Sequence, residues 1–359
     1  MGRDADIVIV GAGITGAATA RELARSGRGV ILVEQFSLGH ERGSSHGGSR
    51  IFRLSYPDPH QVRLAQGALQ SWNELEAECG EQLIVHTGAL DFGPMTVEHA
   101  RALAACGASY ELLNGTQVCE RWPLTAGAEE RALFQPDGGT ILADRAHSAL
   151  LEAAEEAGAV VLDELRVTGI EATPHSVRVR TDGDPIDANA CVVAAGAWSQ
   201  AILAEIGIEL PVVPTRETIT YFRHAAALEL PPVIDDAVPD ADVHGLLRPG
   251  LINYALAAPG IGLKAGLHHA GPPADPDEDG VPDEAVMRWV SSWVARRYPE
   301  ADPSPTGFET CLYTNTADES FVLERHDRVV VASACSGHGF KFAPVLGRTI
   351  AAMARDAAA

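Results

Sequence analysis

Residues Asp6 to Glu34 constrain this chain more than any other stretch. Four consecutive β-branched residues, Ile7 to Val10, predict a buried parallel strand. Gly11-Ala-Gly13-Ile-Thr-Gly16 follows, and then an alanine-rich run (Ala17, Ala18, Ala20, Ala24) predicts a helix ending near Ser26. Val30 to Val33 make a second strand, closed by Glu34. In such a unit Gly11 permits a tight turn and Gly13 lets backbone N–H groups approach a pyrophosphate. Gly16 lets the helix pack close to the strand. An acid ending the second strand can accept both hydroxyls of a ribose. A bare GxGxxG says little. Strand, helix, strand and terminal acid at the right spacing predict a dinucleotide-binding unit. Glu34 would repel a 2′-phosphate, which disfavours NADP; NAD and FAD both stay open on these residues alone.

At 359 residues the chain is long enough for one large or two medium domains with a full core. Its formal net charge of −22 opposes binding to nucleic acid or to an anionic membrane surface, because phosphates would be repelled. No apolar run approaches the roughly 20 residues that span a bilayer. The first strand begins almost at once, with no basic leader or cleavage site, so a cytoplasmic location is expected. The six cysteines show no CxxC and no metal-ligand spacing, and reduced, filling roles are expected for most of them. Only two lysines occur, Lys264 and Lys341, in a chain whose other basic side chains are arginines.

The run from Gln35 to Tyr56 has the Gly/Ser/His composition of a loop, and its place after the cofactor strand suggests a loop folded over the cofactor. Apolar spacing predicts a helix over about 60–79, strands over 83–94 with a turn at Gly88, and a helix over 146–157. Strands follow at 160–162, 166–170 (with Val167) and 177–181. Another, ending near Ala195, runs into Gly196-Ala-Trp198 and points at the same crevice as Gly11. From Pro211 to about Pro303 the pattern alternates, which predicts an inserted antiparallel sheet. Asp275-Pro-Asp277-Glu-Asp279-Gly280 imitates the start of a calcium loop, but Val286 stands where the required Glu belongs, so no metal is expected. Val329 to Ala332 is a buried strand running into Ser336-Gly337-His338-Gly339-Phe340-Lys341, and a helix over 344–354 closes the chain. The expected fold is α/β with an α+β insertion. A Rossmann-type dinucleotide domain is assembled from 1–85, 145–215 and 313–359, and a substrate domain with an antiparallel sheet from 86–144 and 216–312.

With these pieces placed, the chain resembles the monomeric sarcosine oxidase and N-methyltryptophan oxidase family of D-amino-acid-oxidase-like flavoproteins. The most specific pieces are Gly43-Ser44-Ser-His46-Gly-Gly-Ser-Arg50-Ile-Phe-Arg53-Leu-Ser-Tyr56, Gly262-Leu-Lys264-Ala-Gly-Leu-His268, Cys311-Leu-Tyr313-Thr and Ser336-Gly337-His-Gly339-Phe-Lys341-Phe. The resemblance implies FAD, attached through Cys311 to the flavin 8α-methyl, a step that needs a thiolate. Ser44, His46 and Arg50 match flavin-side positions. Arg53 and Lys341 match the pair that grips the substrate carboxylate, a planar fork and a point charge. Lys264 matches the lysine that activates oxygen, where a buried positive charge stabilises superoxide as it forms. His268, Tyr254 and Tyr313 match positions lining the active site.

The implied reaction is oxidation of a secondary or cyclic amine of an amino acid. A hydride equivalent passes to flavin N5, water hydrolyses the imine, and oxygen leaves as hydrogen peroxide. A small amine and oxygen are the expected partners of a monomer. Departures from the family pattern bear on the substrate: one histidine instead of two before the loop glycine, Gly48 in place of a common Asp, and Ala334-Cys335 where Gly-Phe is common. Three alternatives remain: an oxidase of cyclic imino acids, glycine or D-amino acids; a flavin dehydrogenase with a protein acceptor; and a non-catalytic dinucleotide-binding protein.

Overall fold

A computed structural model describes residues 4–237 and 251–359. Five strands run parallel in the order Val160–Leu162, Val30–Val33, Ala5–Val10, Ile186–Val193, Val329–Ser333. Both faces of this sheet are covered, which is why its strands read as unbroken apolar runs. Ile7, Ile9 and Leu32 pack on one side, under the helices Ile14–Arg25, Ala143–Glu156 and Ala343–Ala358. Val8, Val10 and Val33 pack on the other, against Val177 and Val179 of an antiparallel hairpin and against Leu203. Gly16 lies behind the first turn, where a Cβ would come within 1.9 Å of Gly11 O. Its lack of a side chain sets the distance between helix and strand.

The second large sheet has eight strands, in the order Gly307–Asn315, Val213–Phe222, Gly262–His268, Ile252–Ala258, Val233–Asp235, Ala89–Phe92, Arg131–Gln135, Glu111–Asn114. Neighbours are antiparallel except Val233–Asp235 with Ala89–Phe92. Side chains alternate, so the two faces differ. Phe222, Ala255, Leu263 and Leu267 meet the helix Glu284–Arg297 through Val286, Val290 and Trp293. Asp283 caps that helix by accepting from the N–H groups of Ala285 and Val286. The opposite face of the sheet is the wall of the site.

One expectation needs correction. The stretch from Gln35 to Tyr56 is not loop throughout: Ser49–Phe52 is a strand, antiparallel to Gly139–Leu142, which also pairs with Ile84–Val85. Four residues show no usable periodicity of their own. The pairing partner, some ninety positions on, makes the strand. This small sheet places Arg50 and Arg53 at the edge of the site.

Candidate active site

A cavity of about 1020 Å³ lies between the carboxyl ends of the parallel strands and the open face of the antiparallel sheet. At its nucleotide end Gly11 has φ +100°, and a Cβ there would lie 2.6 Å from Ala194 O. Only glycine fits this turn. The backbone at Gly13 is extended (φ −63°, ψ 177°) and opens the helix Ile14–Arg25 toward the cavity. Ser45 Oγ already accepts from Ile14 N at 2.9 Å, a polar contact where a pyrophosphate oxygen would bind. Glu34 is buried and accepts from Ala12 N (2.9 Å) and Phe36 N (3.1 Å), with His40 Nε2 at 3.5 Å. Burial alone would raise its carboxyl, but His40 and the two N–H groups outweigh burial and hold it below its ordinary value. A carboxylate has about four acceptor sites, so ribose hydroxyls can still bind. Val167, Gly196 and Trp198 line the same end, and the Trp198 indole N–H donates to Asp277 Oδ1 at 2.8 Å. Gly16 is not in the lining.

Farther in, the strand Gly307–Asn315 contributes every second residue to the lining: Glu309, Cys311 and Tyr313. Lys264 and His268 project from Gly262–His268, and Tyr254 from Ile252–Ala258. Cys311 is buried, and burial pushes its thiol up to about 11 although Arg50 and Lys264 pull the other way. Lys264 is 3% exposed, and its Nζ donates to Ser49 O at 3.3 Å. Burial, then Arg50, pushes its ammonium down to about 7. Arg50 donates to the carbonyls of Ser44, His46 and Ser49, which ties the loop to the small sheet. The Ser44 hydroxyl donates to Leu312 O and fastens the loop to the Cys311 strand. His46 is pushed down to about 4, first by burial and then by Arg50, so its ring is neutral at neutral pH. Its Nε2 is buried with no partner among the described residues.

At the far end Arg53 and Lys341, 288 positions apart in the chain, both lie over the ring of Tyr56, at 4.7 and 5.8 Å from its centroid. The Lys341 ammonium donates to His338 O at 3.0 Å, and no carboxylate is in ion-pair contact with it among the described residues. Burial, then Arg53 and Arg50, pushes it well below its ordinary value. Arg53 differs: Asp91 Oδ2 stands 3.5 Å from its Nη1, which also donates to Ser55 O at 2.5 Å. His268 Nδ1 and Tyr313 OH are 3.2 Å apart. Burial, followed by His269, His338, Lys341 and Arg53, pushes His268 well down, so it too is neutral. Gly337, at φ +71°, keeps this corner open, because a Cβ would lie 2.3 Å from the Tyr313 ring. Gly339 completes the lining here.

The donors fit FAD along the whole cavity. A carboxylate stands at the ribose end, and at the pyrophosphate the N-terminus of the helix Ile14–Arg25, where Ser45 Oγ holds the Ile14 N–H. Beyond them a chamber bordered by Arg50, Arg53, Lys264 and Lys341 suits an electron-rich ring. Sequence reasoning missed Ser45, Asp91, His99 and Glu309. Asp91 had one signal, an acid in the otherwise apolar strand Ala-Leu-Asp-Phe. Glu309 had another, since counting back two from Cys311 puts it on the same face.

Comparison with known proteins agrees with this geometry. Residues 6–353 match the family model described as FAD dependent oxidoreductase. The chain is 34% identical to the peroxisomal sarcosine oxidase of Homo sapiens over 96% of its own length and 90% of that protein's. It is 31% identical to the monomeric sarcosine oxidase of Bacillus sp. (strain B-0618), over 97% and 92%. Among solved structures it superimposes on NikD, an unusual amino acid oxidase essential for nikkomycin biosynthesis. The TM-score is 0.88 at 28% identity, covering 98% of this chain and 94% of that one.

Proposed function

The chain belongs to the FAD dependent oxidoreductase family, and from that premise we propose that it oxidises a secondary or cyclic amine of an amino acid, of the sarcosine or N-methyl amino acid type, with oxygen as acceptor. That it is an FAD-dependent enzyme acting on amines follows from the family and its sarcosine oxidase relatives. The observation that carries the finer reading is the meeting of Arg53 and Lys341 over Tyr56, in one chamber with Lys264 and Cys311. Two cations brought together in a dry site repel, and a substrate carboxylate relieves that repulsion.

Bound FAD supplies the two-electron acceptor for the C–H bond beside the amine nitrogen. Lys341 and Arg53 hold the carboxylate and so fix the amine within the chamber. His268, kept neutral and hydrogen-bonded to Tyr313, is placed to take a proton from that amine, while Tyr254 closes the wall beside it. Lys264 holds positive charge where oxygen gains electrons, and hydrogen peroxide leaves; water hydrolyses the imine. Cys311 Sγ would hold the cofactor at its 8α-carbon, the new S–C bond replacing a C–H bond whose two electrons the flavin itself would take up. Its raised pKa means a proton must be lost first, and Arg50 and Lys264 are the charges that favour the thiolate. Glu34, the turn at Gly11 and Gly13, Ser44, His46, Val167, Gly196 and Trp198 hold the rest of the cofactor.

The same proposal assigns 1–85, 145–215 and 313–359 to the FAD domain and 86–144 and 216–312 to the substrate domain, in a cytoplasmic monomer. No described helix is long and apolar enough to cross a membrane. The test is oxygen uptake with peroxide release over a panel of N-methyl and cyclic amino acids. Turnover of at least one member is expected. A protein that stays oxidised with every amino-acid amine, or that reduces a dye but never oxygen, overturns the oxidase reading.

A further inference from the structure

Glu309 stands two residues before Cys311 on one strand, so both side chains leave the same face of the sheet. It borders the cavity, and its Oε2 is buried with no hydrogen-bond partner among the described residues. Gly47 gives its position relative to the cations. A Cβ at Gly47 would lie 3.4 Å from Glu309 Oε2, 3.6 Å from Lys264 Nζ and 3.7 Å from Arg50 Nη1. With φ +91° at Gly47, that point carries no side chain. One anion and two cations thus converge around a single point, with no two charges more than about 7 Å apart.

The other groups facing Lys264 leave the carboxylate a clear role. Arg50, from the small sheet, opposes its charge, as burial does. His46, in the loop, is neutral. Tyr221 stands directly across from Lys264 in the neighbouring strand; burial, then a hydrogen bond to Glu309 and the Glu309 charge, raise its phenol, so it carries no charge. Cys311 is uncharged at neutral pH, whether as the free thiol that burial pushes up or as the proposed thioether. Among the groups that favour the ammonium this leaves two carboxylates, Glu309 and, after it in effect, Asp144 from the helix Ala143–Glu156. We propose that Glu309 is the counter-charge to the buried Lys264 ammonium, and is thereby a positioning residue for the reaction with oxygen. The consequence for oxygen rests on the oxidase reading; the coupling of the two charges does not.

The chain's two lysines make the test direct. Holoprotein grown with lysine labelled at the ζ-nitrogen gives two side-chain signals, and Lys264→Met assigns them by deleting one. In wild type the Lys264 signal is expected to titrate near neutrality. Glu309→Gln should lower that midpoint by roughly one to two pH units, the effect of a unit charge about 7 Å away at a protein-like dielectric, and should move Lys341 less. The pH inflection of reoxidation should shift with it, while reduction by amine keeps its rate. An unmoved Lys264 midpoint in folded Glu309→Gln overturns the proposal. If Glu309→Gln does not fold, Glu309→Ala carries the test: it too removes the charge, so a fall supports the proposal and no fall overturns it. A shifted midpoint in a protein that never reduces oxygen leaves the charge coupling standing and removes only the oxidase reading.

Discussion

Asp91 Oδ2 lies 3.5 Å from Arg53 Nη1 and 3.0 Å from His99 Nδ1. Asp91 belongs to the antiparallel sheet, and Arg53 follows the short strand Ser49–Phe52, so this contact joins two sheets at the Arg53–Lys341 end of the site. Burial alone would raise the Asp91 carboxyl, but Arg53 and His99 overcome burial and hold it below its ordinary value. The guanidinium is thus oriented by a protein anion before any substrate arrives.

Removing that anion should cost stability. Asp91→Asn is expected to destabilise the fold by about 3 kcal/mol, because it leaves the Arg53 charge half-buried without its partner. A carboxyl depressed in the folded state adds stability that is complete above its unfolded pKa and is lost as pH falls through the folded one. The wild-type advantage over Asp91→Asn should therefore shrink below about pH 4. Urea unfolding from pH 7 to pH 3 measures it, and a difference that stays constant across that range contradicts the ion pair.

The proposed link at Cys311 can be read from the fate of the cofactor. Acid precipitation should leave the yellow colour with the wild-type protein, and Cys311→Ala should release it or yield apoprotein. Colour in the supernatant from wild type would refute attachment at this residue.

On the proposed reading Lys264 acts in the second half of turnover. Lys264→Met should slow reoxidation about a hundredfold or more, on the order of 3 kcal/mol, and leave reduction by amine nearly unchanged. With its ammonium pushed down to about 7, the charge is present below that pH and lost above it, so wild-type reoxidation should slow as pH rises through neutrality. Stopped-flow traces in which both half-reactions slow equally would contradict this role.

Lys341 is expected to report on the substrate's carboxylate. Lys341→Ala should lower kcat/KM by roughly 2–4 kcal/mol, and acetate should compete with substrate. If amines lacking a carboxylate turn over as well as their amino-acid counterparts, the clamp is wrong.

What the sequence disclosed was mostly local. The unit from Asp6 to Glu34 could be read because strand, turn, helix and acid each carry their own signal within thirty residues. The alternation in Gly262–His268 was equally plain, and with it the face bearing Lys264 and His268, whereas Cys311 and Tyr313 were legible only through the family resemblance of Cys311-Leu-Tyr313-Thr. What escaped was non-local. Ser49–Phe52 is a strand because Gly139–Leu142 lies beside it. Asp91 matters because the fold brings Arg53 and His99 to it. No spacing rule joins a short apolar strand to an arginine thirty-eight positions earlier. Trp198 was placed at the cofactor by its neighbours in sequence, whereas its bond to Asp277 joins positions 79 apart, which no local pattern links.

The strand Gly307–Asn315 pairs without a break with Val213–Phe222, from Val213↔Asn315 to Tyr221↔Gly307. Glu309, Cys311 and Tyr313 share one face only because the count between them is even. Losing or gaining a single residue anywhere inside this strand would turn part of the trio to the opposite side, while the backbone ladder could re-form almost as before. Lineages of this protein should accordingly record substitutions here and never single-codon insertions or deletions. Anyone building chimaeras from its relatives has to move the strand as one uncut block.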